Sequence, residues 1–159
     1  MAEMHVIDEL RAYLIAAGVV QAQTANPSTV LPSIWLDPRD GARLPREGED
    51  VTVTLRDTLL AAPDRLQAWE EVAYIDVITR ARREPAGKLV HRSIRNLLHP
   101  IAAHGGRYQW TMGSLLVAYS TVWRGEQKLP ADGDAVTYDR VASYQIACRR
   151  QSLSGQPYA

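Results

Sequence analysis

The chain has little of what marks exported, disulfide-stapled or membrane-spanning proteins. Its 159 residues include one cysteine, Cys148, and no phenylalanine. A single cysteine forms no internal disulfide, which excludes a disulfide scaffold and favours a reducing compartment. Charged residues interrupt the stretch where a signal peptide would need an apolar run: Glu3, Asp8, Glu9 and Arg11. No window is apolar enough to cross a bilayer, so we expect neither export by this route nor a membrane span.

The chain also lacks an excess of charge of either sign. Eighteen Lys and Arg balance eighteen Asp and Glu, which gives a formal net charge of zero. Non-specific nucleic-acid binding and polybasic membrane patches both depend on a cationic excess, so neither is expected. The chain is 46% hydrophobic. We expect one domain over residues 1–150, about 40 Å across, followed by a flexible tail over residues 151–159.

Periodicity predicts two helices. Apolar residues recur at three-and-four spacing over residues 4–17, and Gly18 ends that helix. A second helix is predicted over residues 88–99, with Pro100 as its stop and with His91 on its polar side.

The remaining apolar segments read as strands. A short strand is predicted over residues 33–36, and a half-buried one around Val51, Val53 and Leu55. Residues 59–69 suit a loop or a single helical turn. Residues 71–81 are largely apolar on both faces, which indicates a central strand.

Two long apolar and aromatic runs, residues 107–123 and 136–149, predict a C-terminal β-hairpin, with a bulge at Gly113 and a turn over residues 125–134. The element order predicts an α+β fold: a mostly antiparallel sheet with two helices packed on one face and a long C-terminal β-hairpin. Fourteen residues of strand would reach about 48 Å, longer than the body. Either the hairpin bends at Gly113, or it overhangs and needs another subunit to cover Tyr138 and Tyr144.

Enzyme signatures are not evident. The sequence has no phosphate-binding loop, dinucleotide fingerprint or nucleophile elbow. His91, His99 and His104 are spaced by eight and five residues, which on a helix places the first two about 12 Å apart, too far for one zinc. Neither a metal nor a cofactor is therefore predicted.

Asp76 is the most interesting carboxylate, because a mid-strand acid needs a partner or a raised pKa. Arg80, four residues on and on the same face, is the expected partner. A nuclease-like metal site formed by Asp76 with Glu71 or Asp64 is the enzymatic alternative. The pair Asp132 and Asp134 fits a tight turn better than a calcium loop.

Two basic clusters remain. The first follows the central strand and the second helix: Arg80, Arg82, Arg83, Lys88, Arg92 and Arg95. It is either a solvated face or a surface for an acidic protein partner, and a nucleic-acid groove is less favoured because aromatic residues are not interleaved with it. In the second cluster, Arg39, Arg43 and Arg46 alternate with acidic residues in a polar loop, a mixture that suits an adaptable interface rim.

The order of these elements resembles one family. A helix opening with Val-Ile-Asp-Glu-Leu at residues 6–10, a proline-rich loop, a strand with Tyr-Ile-Asp-Val at residues 74–77, a helix at 88–99 and a long last hairpin look like the tail terminator, or tail completion, proteins of long-tailed bacteriophages. The resemblance covers about residues 4–150 and is one of layout, since the family offers no invariant motif to match.

The resemblance implies structural rather than catalytic work in the virion, with assembly in the host cytoplasm. Such proteins form a homohexameric ring on the tail tube, stop its polymerisation and present a joining surface to the head connector or stopper. The expected partners are further copies of the chain, the major tail tube protein and that connector, while genomic DNA passes through the lumen without specific binding.

Ring closure needs two different, matching faces, and we expect the loop over residues 37–50 and the hairpin tip over residues 125–134 to provide contacts. The residues predicted to contact partners are Arg39, Arg43, Arg46, Lys128, Leu129, Pro130, Asp132, Asp134, Tyr138 and Tyr144. The alternatives are another phage head–tail joining protein (neck or minor capsid), a tube-forming protein, a small metal-dependent hydrolase or nuclease, and a ligand-binding module.

Overall fold

The computed structural model describes residues 6–23, 31–37, 44–57, 70–98, 110–128 and 137–150. This part of the chain contains two helices and six strands. In chain order they are α1 (Val6–Ala16), β1 (Ser33–Asp37), β2 (Val51–Asp57), β3 (Glu70–Ala81), α2 (Glu84–Leu98), β4 (Trp110–Met112), β5 (Leu115–Lys128) and β6 (Tyr138–Arg150). No helix in these ranges is long and apolar enough to span a bilayer.

The six strands form one sheet in the order β1-β2-β3-β6-β5-β4. Only β1 and β2 are parallel to each other, and the remaining neighbours are antiparallel. Both helices pack into one apolar cluster with the sheet. The predicted α+β class, with a mostly antiparallel sheet and a long C-terminal hairpin, is confirmed.

The central-strand prediction for β3 is also confirmed, since β3 pairs with β2 on one side and with β6 on the other. Its alternate side chains are buried on both faces: Ile75 and Val77 on one, Asp76 and Ile78 on the other. The half-buried prediction for β2 is wrong, because Thr52 and Thr54 are as inaccessible as the apolar residues between them. The apolar alternation pattern counts threonine as polar, so it assigned these two residues to the solvent face.

Helix α1 follows its predicted spacing, with Leu10 and Leu14 fully buried. Gly18, at a φ of 76°, lies just beyond its last turn in the left-handed region, where glycine carries no Cβ penalty. Helix α2 begins at Glu84 rather than at the predicted residue 88, because Pro85 is tolerated in a first helical turn. The placement of His91 on the polar side is wrong: its side chain is buried against the sheet.

The C-terminal region differs from the prediction at two glycines. Gly113 is not a bulge but part of a turn, at a φ of 61°, that joins β4 to β5. Gly125 does not open the hairpin tip, because β5 continues through it to Lys128. The irregularities occur instead in the β5–β6 ladder, where the register shifts three times between Val117 and Gln127. Such shifts let a long strand pair bend.

Candidate interaction surface

An ionic cluster joins the start of α2 to the β5–β6 hairpin. Arg140 of β6 donates from Nη2 to Glu84 Oε1 at 2.6 Å and from Nη1 to Glu126. Lys88 and Lys128 place their Nζ atoms 3.9 Å from the same Glu84 oxygen. The Arg140 hydrogen bond, with the nearby Lys128 charge, lowers the pKa of Glu84 below its ordinary value. Glu84 is therefore held ionised at the point where three elements meet.

Beside this cluster lies an open groove of about 610 Å³. The segment from the end of β3 into α2 provides most of its lining, and β6 provides Tyr138. Leu89 is 62% exposed and Tyr138 is 44% exposed, and because both line the same groove they form an exposed apolar patch. The lining residues are Arg82, Arg83, Glu84, Pro85, Ala86, Leu89 and Tyr138.

Cations border this groove. The Nζ atom of Lys128 lies 5.5 Å from the centroid of the Tyr138 ring, in range of a cation–π contact. Arg83 pairs with Asp50 at 2.8 Å while 70% of its side chain stays exposed. Arg82 donates to the carbonyl oxygens of Pro45 and Arg46 at 2.8 and 3.2 Å. We call this groove with its bordering cations Lys88 and Lys128 the α2 groove.

A second, smaller cavity of about 60 Å³ lies under the same helix. His91 reaches it from α2; its Nδ1 lies 3.3 Å from Thr79 Oγ1, and its buried Nε2 has no partner among the described residues. Burial lowers the pKa of His91, and burial raises the pKa of Tyr144, which lines the same cavity, to about 12. Both groups are therefore neutral at physiological pH.

Asp76 is fixed by its two neighbouring strands. Arg56 Nη2 of β2 donates to Asp76 Oδ2 at 2.8 Å, and Ser143 Oγ of β6 donates to Oδ1 at 2.5 Å. The prediction that Arg80 is the partner of Asp76 is wrong, because Arg80 Nε lies 3.8 Å from Asp139 Oδ2 instead. Residues directly opposite in a ladder, 56 to 76 and 76 to 143, meet more closely than residues four apart on one strand.

The predicted contact residues divide into four groups. Lys128 and Tyr138 come together at the α2 groove. Arg46 is turned inward, donating to Glu49 at 2.5 Å and lying 5.6 Å from the centroid of the Trp35 ring. Tyr144 is only 2% exposed, so the expectation that another subunit must cover it is wrong: α2 and the sheet cover it already. The rest lie outside the described residues: Arg39, Arg43, Leu129, Pro130, Asp132 and Asp134.

Other predictions also fall outside the described ranges. These are the loop over residues 59–69, the carboxylate of Asp64, His99, His104 and the turn around Asp132. Within the described ranges, no group of three or more His, Cys, Asp or Glu is placed to hold a metal ion.

Sequence reasoning missed Glu84, Leu89, Glu126 and Arg140. One signal was available: Glu84 and Lys88 stand four apart around Pro85, a spacing typical of a helix start with an ion pair. The other contacts join residues 14 and 56 positions apart, so no local pattern indicated them.

No model of a known protein family matches the chain. A search of curated proteins likewise finds no significant match.

Proposed function

We propose that this chain is a structural protein of a long-tailed bacteriophage, a tail terminator that assembles as a hexameric ring. In this role it caps the tail tube, stops tube polymerisation and offers the joining surface to the head connector or stopper. DNA passes through the ring without specific contacts. The proposal extends the resemblance in element order to the described fold, in which every predicted helix and long strand is present.

The observation that carries the proposal is the outer edge of β5. Among the described strands, β4 covers this edge only at Leu115, Leu116 and Val117. Residues 118–128 continue for about 36 Å at 3.3 Å per residue. No strand in the described part of the chain pairs with that stretch on its outer side. An edge of that length is a template for a strand from another copy.

The far end of β5 suits a specific contact. Its last four residues, Gly125 to Lys128, are exposed and carry one acidic and one basic side chain. Mixed charges on a strand edge oppose indiscriminate strand pairing but allow pairing with a partner whose charges are opposite at the facing positions. A head-to-tail contact of this kind closes into a ring if the rotation between copies closes.

The enzymatic alternative gains nothing from the described geometry. Both carboxylate oxygens of Asp76 are engaged by Arg56 and Ser143. A carboxylate held by a cation and a hydroxyl in this way stabilises the strand pairing and is poorly placed to bind a metal.

Gly125 offers a sharp test of ring assembly through the β5 edge. A Cβ built there meets nothing within 4 Å, so a side chain can start at this position without a clash, and a thermal melt reports whether a large one is accommodated in the isolated chain. We expect the wild-type protein to show the mass of about six copies by light scattering and rings by negative-stain electron microscopy. Gly125→Trp should keep the wild-type melting temperature and prevent assembly.

Ser93→Trp, on the exposed side of α2, is the matched control and should still assemble. Deleting residues 129–134 tests the predicted tip contact in the same assay, and we expect this deletion to weaken ring assembly. A protein that stays monomeric at every concentration, or a Gly125→Trp variant that assembles normally, would contradict the proposal.

A further inference from the structure

We propose that the α2 groove docks an acidic segment of a partner protein that inserts one large apolar side chain between Leu89 and Tyr138. This inference stands on the groove alone and does not depend on ring formation. It assigns to this surface a partner with two chemical properties, an apolar anchor and flanking carboxylates.

The apolar anchor follows from exposure. Three large hydrophobic side chains are exposed in the described part of the chain, Leu44, Leu89 and Tyr138, and two of them line this one groove. Pro85 and Ala86 add apolar surface between them. Covering such a patch with an apolar side chain removes it from water, at about 25 cal/mol for each Å² buried. A concave site of this kind fits one inserted side chain better than a flat contact.

The flanking carboxylates follow from charge. Two arginines, Arg82 and Arg83, line the groove, and Lys88 of α2 lies beside its Glu84. Lys128 adds a fourth cation from β5, with 57% of its side chain exposed. The acidic residue of the groove, Glu84, is engaged by Arg140. A chain of zero net charge therefore presents a cationic border here, and this border is complementary to an acidic segment.

The same observations favour protein over nucleic acid. Single-stranded nucleic acid binds where several aromatic rings stack successive bases along a cationic track. The groove offers one ring, Tyr138, and Lys128 lies over it. Leu89 contributes nothing to phosphate binding, whereas an apolar side chain of a peptide buries it.

The test uses fluorescence anisotropy with short fluorescein-labelled peptides and the full chain. The probe peptide has a single leucine flanked by glutamates. One companion has serine in place of the leucine, a second has glutamines in place of the glutamates, and oligothymidine is the nucleic-acid probe. We expect saturable binding of the first peptide, at least about fivefold weaker binding of both companions, and weakening by added salt.

Variants of the protein locate the site. Leu89→Ser and Lys88→Glu should each weaken binding of the first peptide by about fivefold or more. Leu44→Ser is the matched control, since Leu44 is 56% exposed and does not line the groove. Thermal melts of all three variants establish that they are folded.

Three outcomes would overturn the inference: no saturable binding of the first peptide, equal binding by Leu89→Ser and Leu44→Ser, or oligothymidine binding as tightly as the peptide. Light scattering on the same samples reports ring formation separately. Failure of the groove and failure of the tail proposal are therefore distinguishable.

Discussion

The two helices pack on the same sheet but use their polar residues in opposite ways. Helix α1 buries a carboxylate: Glu9 is 4% exposed and accepts a hydrogen bond from Ser114 Oγ at 2.7 Å, beside the β4–β5 turn. Helix α2 places its carboxylate, Glu84, in an open ionic cluster and leaves Leu89 in solvent. The first arrangement fixes the fold, since it joins elements 105 residues apart. The second leaves a surface that another molecule can complete.

The energetic consequence of this contrast is that substitutions around α1 should damage stability, whereas substitutions on the outer side of α2 should damage interactions. Stability and partner binding are separate measurements, so the role of each helix can be tested independently of the other.

The largest expected effect is at the turn that Glu9 contacts. An alanine Cβ at Gly113 would lie 1.8 Å from Glu9 Oε2, and the backbone there has a φ of 61°. We expect Gly113→Ala to lower the free energy of unfolding by about 3 kcal/mol or more, measured by urea denaturation.

Gly18→Ala is the control that separates the cost of the left-handed backbone conformation from the cost of the clash with Glu9. Gly18 has a similar φ of 76° and nothing within 4 Å of an added Cβ, so its substitution should cost only about 1 kcal/mol. Equal losses at the two glycines would mean that Glu9 is not fixed against the turn.

A smaller effect is expected where α2 approaches β3. A Cβ at Gly87 would lie 2.9 Å from the Ala81 Cβ, closer than carbon atoms tolerate. We expect Gly87→Ala to cost about 1 kcal/mol, because the displacement of α2 outweighs the gain in helix propensity.

The contact between positions 81 and 87 can be tested by a double-mutant cycle. Ala81→Gly removes the clashing atom, so combining it with Gly87→Ala should show a favourable coupling energy. Ser93→Ala, on the exposed side of the same helix, should change stability by less than about 0.5 kcal/mol. Additive effects at positions 81 and 87 would contradict the close packing.

The third prediction concerns pH and His91. Because burial holds the folded pKa of His91 below 6.5, the unfolded chain takes up the proton first as pH falls. The contribution of the neutral His91 side chain to the free energy of unfolding is fully present above pH 6.5. It is lost as the pH falls through the pKa of His91 in the folded protein. Glu126 opposes this shift, whereas Arg140 reinforces it.

Urea denaturation over a pH series should therefore show a steeper acid loss for the wild type than for His91→Gln, which we expect to cost about 1 kcal/mol at neutral pH. Parallel pH profiles for the two proteins would show that His91 titrates freely and is not buried.

The smallest expected effect on stability is at Leu89. Because this side chain is already in solvent, Leu89→Ser should change the free energy of unfolding by less than about 0.5 kcal/mol. Leu10→Ala, at a fully buried position of α1, should cost about 3 kcal/mol in the same assay. A large loss for Leu89→Ser would show that α2, like α1, serves mainly the fold.

Sequence reasoning succeeded where a pattern is local. The spacing of Leu10 and Leu14 predicted α1, and the apolar character of both faces of β3 predicted a central strand. It failed where burial involves polar atoms. His91 and Thr54 look like surface residues in a hydropathy pattern, yet both are inaccessible.

The candidate surface was predictable only in part. Lys128 was chosen because it lies in the predicted hairpin tip, and Tyr138 because an overhanging hairpin would leave it uncovered. The structure brings the two together. Tyr144 was chosen for the same reason as Tyr138 and lies on the same face of β6, but it sits mid-strand beneath α2 and is buried. Whether an aromatic residue on that face is buried or exposed therefore depends on which stretch of the strand the helix covers, and a pattern along one strand does not show this.

The sequence by itself determined the class of fold, the order of its helices and long strands, and the balance of charge, because these depend on neighbours along the chain. Only the tertiary structure decided which charges meet, that Arg140 joins Glu84 to Glu126, and that Leu89 and Tyr138 share one groove. The reason is physical: hydrogen bonds, ion pairs and burial act over a few ångströms, and chain folding alone brings distant residues within that range.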